Sequence, residues 1–192
     1  MNAMARLTFG LFDRTLEPED AVTDEALLKR GDAASFAELY ARHLPGVYRY
    51  MASRAPSREE AEDLASEVFH QAWASRGSYR SNGSFRAWIF SIARRTVADH
   101  YRRWRPAAHL NPAVVAQLLD RDPSPEDQAL QQEHVRQAHL LLSGLSHEQQ
   151  EVLSLRFVAE LSYAEIAIVV RKREEAVKKI AYRALESMRG RN

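Results

Sequence analysis

The 192-residue chain contains no cysteine, which excludes disulfide bridges, thiolate zinc sites and cysteine nucleophiles. No apolar run approaches the ~20 residues needed to cross a bilayer, so direct membrane insertion is not expected. Residues 1–20 (MNAMARLTFGLFDRTLEPED) lack an extended apolar stretch followed by a small-residue cleavage site, so no signal peptide is read. These absences together predict a cytoplasmic protein. Also missing are the alternating apolar–polar runs of strands, and any HExxH, P-loop or GxGxxG motif. The seven histidines are scattered. His134 and His139 have the wrong spacing for one helix face, and His147–Glu148 has no second ligand at the required offset. The chain is therefore read as a non-enzyme, with no catalytic residue, metal ligand or cofactor.

What is present is charge, unevenly placed. The formal net charge is only +1. Yet segments 85–105 and 171–191 each sum to about +5, while 58–67 and 120–133 are acidic. In FRAWIFSIARRTVADHYRRWR (85–105), Phe85, Trp88, Ile89, Ile92, Val97, Tyr101 and Trp104 form one face of a helix. Arg86, Arg94, Arg95, Arg102 and Arg103 crowd the remainder against a single Asp99. Arginines interleaved with aromatics suit a polyanion. A solvated basic face over an ordinary core stripe explains the same pattern about equally well.

The rest reads as helical. Thr23 can cap a short helix through Arg30, and Asp32 the next, whose apolar face includes Phe36, Leu39, His43, Val47 and Met51. Pro45 predicts a kink there, and His43 reads as a packed histidine. Ser57 with Glu60 forms a capping-box pattern before a helix burying Ala61, Leu64, Ala65, Val68, Phe69, Ala72 and Trp73. Residues 76–84 (RGSYRSNGS) read as a loop. Pro106, Pro112, Pro123 and Pro125 mark a linker over 106–125, with one short docked helix around Val114–Leu119. Ser124–Asp127 (SPED) restarts helix. Two further capping boxes, Ser146 with Gln149 and Ser162 with Glu165, open helices over 147–159 and 163–170. A last helix runs from about Glu174 to Met188.

That final pair has the size and spacing of a helix-turn-helix. Val177, Ile180, Ala181, Ala184 and Met188 can face the core, leaving Glu174, Glu175, Lys178, Lys179 and Tyr182 outward. Arg171, Lys172 and Arg173 sit where the turn would approach phosphates. An exposed charged helix in a bundle is the competing explanation.

AEDLASEVFHQAW (61–73), FRAWIFSIARRTVADHYRR (85–103) and VLSLRFVAELSYAEIAIVV…AVKKIAYRAL (152–185) resemble regions 2.2, 2.3–2.4 and 4.2 of bacterial sigma-70 factors. The layout, without regions 1.1 and 3, is similar to the extracytoplasmic-function (ECF) group. The resemblance implies an all-α chain of two small domains joined by a flexible linker. Residues 1–21 would be a mobile extension, 22–105 a sigma2-like bundle, 106–125 the linker, and 126–190 a sigma4-like helix-turn-helix domain.

It also implies roles. Glu62, Asp63, Glu67 and Phe69 would meet the β′ clamp helices of core RNA polymerase, and the second domain its β flap. Tyr79, Ser81 and Asn82 would hold a flipped −10 base, with Arg94, Arg95, Arg102 and Arg103 on nearby DNA. Arg171, Lys172, Arg173, Glu174, Lys178, Lys179 and Tyr182 would read the −35 element. An anti-sigma factor would hold the protein inactive. The sequence departs from the family pattern at Arg95, where Asn is common, and in the helix-turn-helix turn, where Gly is common near Arg171. Glu174 and Glu175 also place negative charge near DNA, where they can accept from cytosine or simply stabilise a helix N-terminus. A stand-alone helix-turn-helix repressor and a mimic that titrates an anti-sigma factor remain as rivals.

Overall fold

The computed structural model describes residues 22–80, 84–104 and 141–190, with the side chains of Arg103 and Trp104 outside that set. The extension, the linker, the SPED restart, Ser81 and Asn82 therefore lie outside the described residues. Within them the chain is helical, without strands.

Local signals place the first helices. α1 (Asp24–Arg30) starts where the Thr23 hydroxyl accepts from the Ala26 N–H at 3.3 Å. It ends at Gly31, whose φ of 70° suits a residue without a Cβ. α2 (Ala33–Ala52) is capped by Asp32, which accepts from the Ser35 N–H at 2.8 Å. α2 remains helical through Pro45. α3 (Arg58–Ser75) begins with only half a capping box. Ser57 accepts from the Glu60 N–H, but the Glu60 carboxylate instead reaches His100, at 2.5 Å. A 3-10 turn (Arg76–Ser78) precedes α4 (Phe85–Trp104).

α2, α3 and α4 pack together, with α1 against α2. Tyr50, Phe85, Phe90, Leu39 and Ile89 are fully buried in this bundle. A Cβ on Gly46 would lie 3.6 Å from the Phe90 ring, so a small residue there admits the aromatic. His43 is the packed histidine expected, bonded to Asp24 at 2.6 Å. Burial works against the Asp24 carboxylate, but His43 and Arg42 outweigh it and hold its pKa below the ordinary aspartate value.

In the second domain, both capping boxes form in full, at Ser146 with Gln149 and at Ser162 with Glu165. The helix expected over 147–159 is α5 (His147–Leu153) followed by a π-helical turn (Ser154–Val158). That wider turn keeps Ser154, Leu155 and Val158 all buried before the chain reverses at Glu160, which has a φ of 57°. α6 (Tyr163–Val170) and α7 (Glu174–Arg189) follow. As expected, Val177, Ala181, Ala184 and Met188 are buried, while Ile180 is only partly so.

The two domains are not merely tethered. α4 packs on α6, and α2 on the π-helical turn. Val152, Leu155, Leu161, Ile166 and Val169 belong to the same continuous core as Tyr50, Val68 and Phe90.

Candidate nucleic-acid interface

The acidic face of α3 is exposed at Glu62, Asp63 and Glu67. Glu62 pairs with Arg58 at 2.7 Å, one helical turn away, which leaves its charge at the surface. Phe69 does not share that face. It is only 3% exposed and packs on the Tyr40 ring at 4.6 Å, so it supports the face from beneath and cannot present itself to a partner. Its place on the a/d-like stripe of α3, in line with Ala65 and Ala72, carries that signal.

The arginines of α4 divide into two groups. Arg95 and Arg102 lie one heptad apart on an open face, flanking Asp99, which each contacts. The Arg95 side chain is 80% exposed. Arg86 turns toward the second domain, whereas Arg94 stays half-exposed at its edge. Arg86 donates to the carbonyls of Ala159 and Glu160, both at 3.0 Å, and Arg94 lies 3.7 Å from Glu151. Tyr79 stands edge-on to Trp88 at 5.3 Å and its hydroxyl donates to Glu25. Burial, then the Glu25 charge, raise the Tyr79 pKa, so the phenol stays protonated and can donate. Tyr79 and Trp88 thus form a partly buried aromatic edge beside the open arginine face.

The helix-turn-helix turn is built around Arg171, with φ 56° and ψ 47°. Glycine takes this left-handed conformation freely, whereas a side chain costs about 1 kcal/mol there. The backbone secures it: the Arg171 N–H donates to Ile168 and the Lys172 N–H to Ala167, at 2.9 Å for the second. Arg171, Lys172 and Arg173 are all exposed. Lys172 reaches Glu148 at 2.8 Å. Glu174 and Glu175 both pair with Lys178, at 2.9 and 3.1 Å. Sited in the first turn of α7, they also complement its positive end. Lys179 has no ion-pair partner among the described residues, and Tyr182 is 60% exposed. Lys179 and Tyr182 are thus exposed on the outer face of α7, with the Tyr182 hydroxyl donating to Glu186 at 3.0 Å, alongside the Arg171–Arg173 corner.

An open arginine face beside an aromatic edge and a helix-turn-helix on one chain match known patterns collinearly. Residues 39–106 match sigma-70 region 2, and residues 141–190 match sigma-70 region 4. The chain shares 33% identity over 179 residues with the ECF RNA polymerase sigma factor SigD of Mycobacterium tuberculosis, covering 88% of this chain and 82% of that one.

The chain belongs to the sigma-70 family, among the ECF sigma factors.

ECF RNA polymerase sigma factor BldN of Streptomyces coelicolor is 37% identical over 161 residues, covering 82% of this chain but 60% of the relative's length. The fold also matches that of the sigma factor RpoE of Bartonella quintana, solved in complex with the anti-sigma factor NepR. The TM-score is 0.59 at 20% identity, covering 82% of this chain and 96% of that one. Among the described residues no helix is long and apolar enough to cross a membrane, and no cluster of candidate metal ligands occurs.

Proposed function

We propose that this ECF sigma factor directs core RNA polymerase to promoters by splitting the work among three surfaces. Glu62, Asp63 and Glu67 on α3 dock to a basic face of the polymerase, the β′ clamp helices, where complementary charge sets orientation. The second domain engages the β flap. Arg95 and Arg102, with Arg103 beyond the described side chains, hold the −10 backbone. Tyr79 offers a stacking surface for an extruded base, with Ser81 and Asn82, which lie outside the described residues, as its polar partners, and this favours melting. Lys179 and Tyr182 face the −35 bases, while Arg171, Lys172 and Arg173 hold phosphates.

The observation that carries this reading is the division of exposed charge. Exposed carboxylates predominate on α3, with Arg58 against Glu59, Glu62, Asp63 and Glu67, whereas arginines predominate on the open face of α4 and α7 mixes Lys178, Lys179 and Arg183 with Glu174, Glu175 and Glu186. A protein acting alone on DNA has no use for the first surface. An anti-sigma factor as a further partner is supported by the RpoE–NepR complex, whose fold this chain shares.

Mobility shift on promoter fragments tests the scheme. The chain alone binds weakly, and addition of core polymerase gives a tight complex whose affinity falls steeply with salt. A tight, sequence-specific complex formed without polymerase would contradict it and point to a repressor.

A further inference from the structure

The open face of α4 carries a carboxylate where phosphates are expected. Arg95, Asp99 and Arg102 fall at i, i+4 and i+7, a single stripe of the helix. Asp99 sits between the two arginines, 2.6 Å from the Arg102 guanidinium and 3.7 Å from that of Arg95. All three side chains are open to solvent. Their neighbours fix the outward direction of the stripe. His100 reaches Glu60 of α3 at 2.5 Å, and the Tyr101 hydroxyl donates to the Arg54 carbonyl. With those two side chains turned to the bundle, Asp99 stays outside with both guanidiniums.

Stability does not explain this carboxylate. Both of its contacts are surface pairs within one helix, and such pairs contribute little to folding. Other carboxylates meet the basic side chains of the second domain, Glu148 at Lys172 and Glu174 and Glu175 at Lys178. Glu174 and Glu175 have a second task at the positive end of α7. Asp99 lies far from the N-terminal end of α4 and has no such task. Against DNA its charge is costly, because a phosphate that approaches either guanidinium also approaches Asp99.

We propose that Asp99 is a specificity-determining residue, which lowers the affinity of the Arg95–Arg102 stripe for duplex of arbitrary sequence more than for the promoter. This role rests on the −10 contact proposed above for Arg95 and Arg102. Non-specific binding is a diffuse electrostatic attraction and responds to net charge, which Asp99 reduces. A promoter contact is directed, made by N–H groups aimed at fixed phosphates. Arg102 spends one N–H on Asp99 and Arg95 approaches it only at ion-pair range, so each fork keeps donors for phosphate. Asp99 also holds the Arg102 fork in place, which reduces the ordering cost of that directed contact. Repulsion and orientation therefore offset each other on the promoter, whereas on random duplex only repulsion acts.

Asp99→Asn in the full chain tests this, since the amide keeps the shape and removes the charge. Fluorescence anisotropy on random-sequence duplex, with the chain alone, should show binding about fivefold tighter at low salt, with a salt slope steeper by about one. Binding to a promoter fragment in the presence of core polymerase should change by no more than about twofold, because the two effects cancel there. Unchanged binding to random duplex would make Asp99 a solvated surface pair and overturn the proposal. Weaker binding to both DNAs would leave only an orienting role, and equal tightening on both would remove the selectivity. Asp99→Ala should repeat the gain on random duplex, and a gain confined to one variant would exclude charge as its cause. Arg95→Ala with Arg102→Ala tests the underlying contact separately. If that double variant, with core polymerase, holds the promoter as wild type does, the −10 role of the stripe fails and the role of Asp99 with it.

Discussion

Replacing Glu62, Asp63 and Glu67 together by lysine should weaken binding to core RNA polymerase by about 100-fold while leaving the protein folded. All three side chains are exposed on α3, and the one ion pair lost, Arg58–Glu62, is a surface pair within a single helix. Such pairs contribute about 0–1 kcal/mol, so the melting temperature should hardly move. Binding responds differently. Each substitution removes an attraction and sets like charges face to face, which together cost several kcal/mol. Equilibrium binding of labelled protein to core polymerase, at two salt concentrations, measures the effect. Retention of wild-type affinity would mean that the acidic face is only a solvated surface. The complementary control is Phe69, which is interior: Phe69→Ala should lower stability, and weaken polymerase binding only to the extent that α3 is disturbed.

Phe90→Ala should destabilise the protein by about 3–5 kcal/mol, the range for truncating a fully buried aromatic. Phe90 is 1% exposed, stands edge-on to Tyr50 at 5.8 Å and fills the space above Gly46. Alanine leaves a cavity where α2 and α4 meet, against the ring of Tyr50, whose hydroxyl bonds Glu151. The loss therefore reaches both the bundle and its contact with the second domain. Melting temperature should drop by about 10 °C on the scale of 2–4 °C per kcal/mol for a chain of this size. Thermal unfolding followed by circular dichroism checks it, and a drop below about 1 kcal/mol would place Phe90 outside the core. Gly46→Ala should be much milder, since its new methyl meets the ring at ordinary contact distance.

What the sequence disclosed follows the range of the interactions involved. Thr23, Asp32, Ser146 and Ser162 cap helices through bonds spanning three residues, so their patterns sit within one short window. The stripes of α3 and α7 are legible for the same reason. Glu60 shows the limit: its motif was readable, but the competing partner, His100, lies on another helix. Long-range choices left weaker marks. Tyr50 and Glu151 are 101 positions apart, and no periodicity announces that they meet. One trace exists, since Glu151 lines up with Leu155 and Val158 on a buried stripe where a lone carboxylate is out of place. The arginines of α4 were equally persuasive as DNA contacts by composition. Only packing separates Arg95 and Arg102, which face outward, from Arg86, which bonds the second domain, and from Arg94, half-exposed beside Glu151. At Arg171 the left-handed turn forms with a side chain present, because two backbone bonds hold it against the side-chain penalty.

Run-off transcription by core RNA polymerase on fragmented genomic DNA from the same organism, with and without this protein, tests the central claim most directly. The account predicts discrete transcripts only when the protein is added, with shared −35 and −10 sequences upstream of their starts. An unchanged transcript pattern, under conditions where the protein demonstrably binds those DNA fragments by itself, would contradict it.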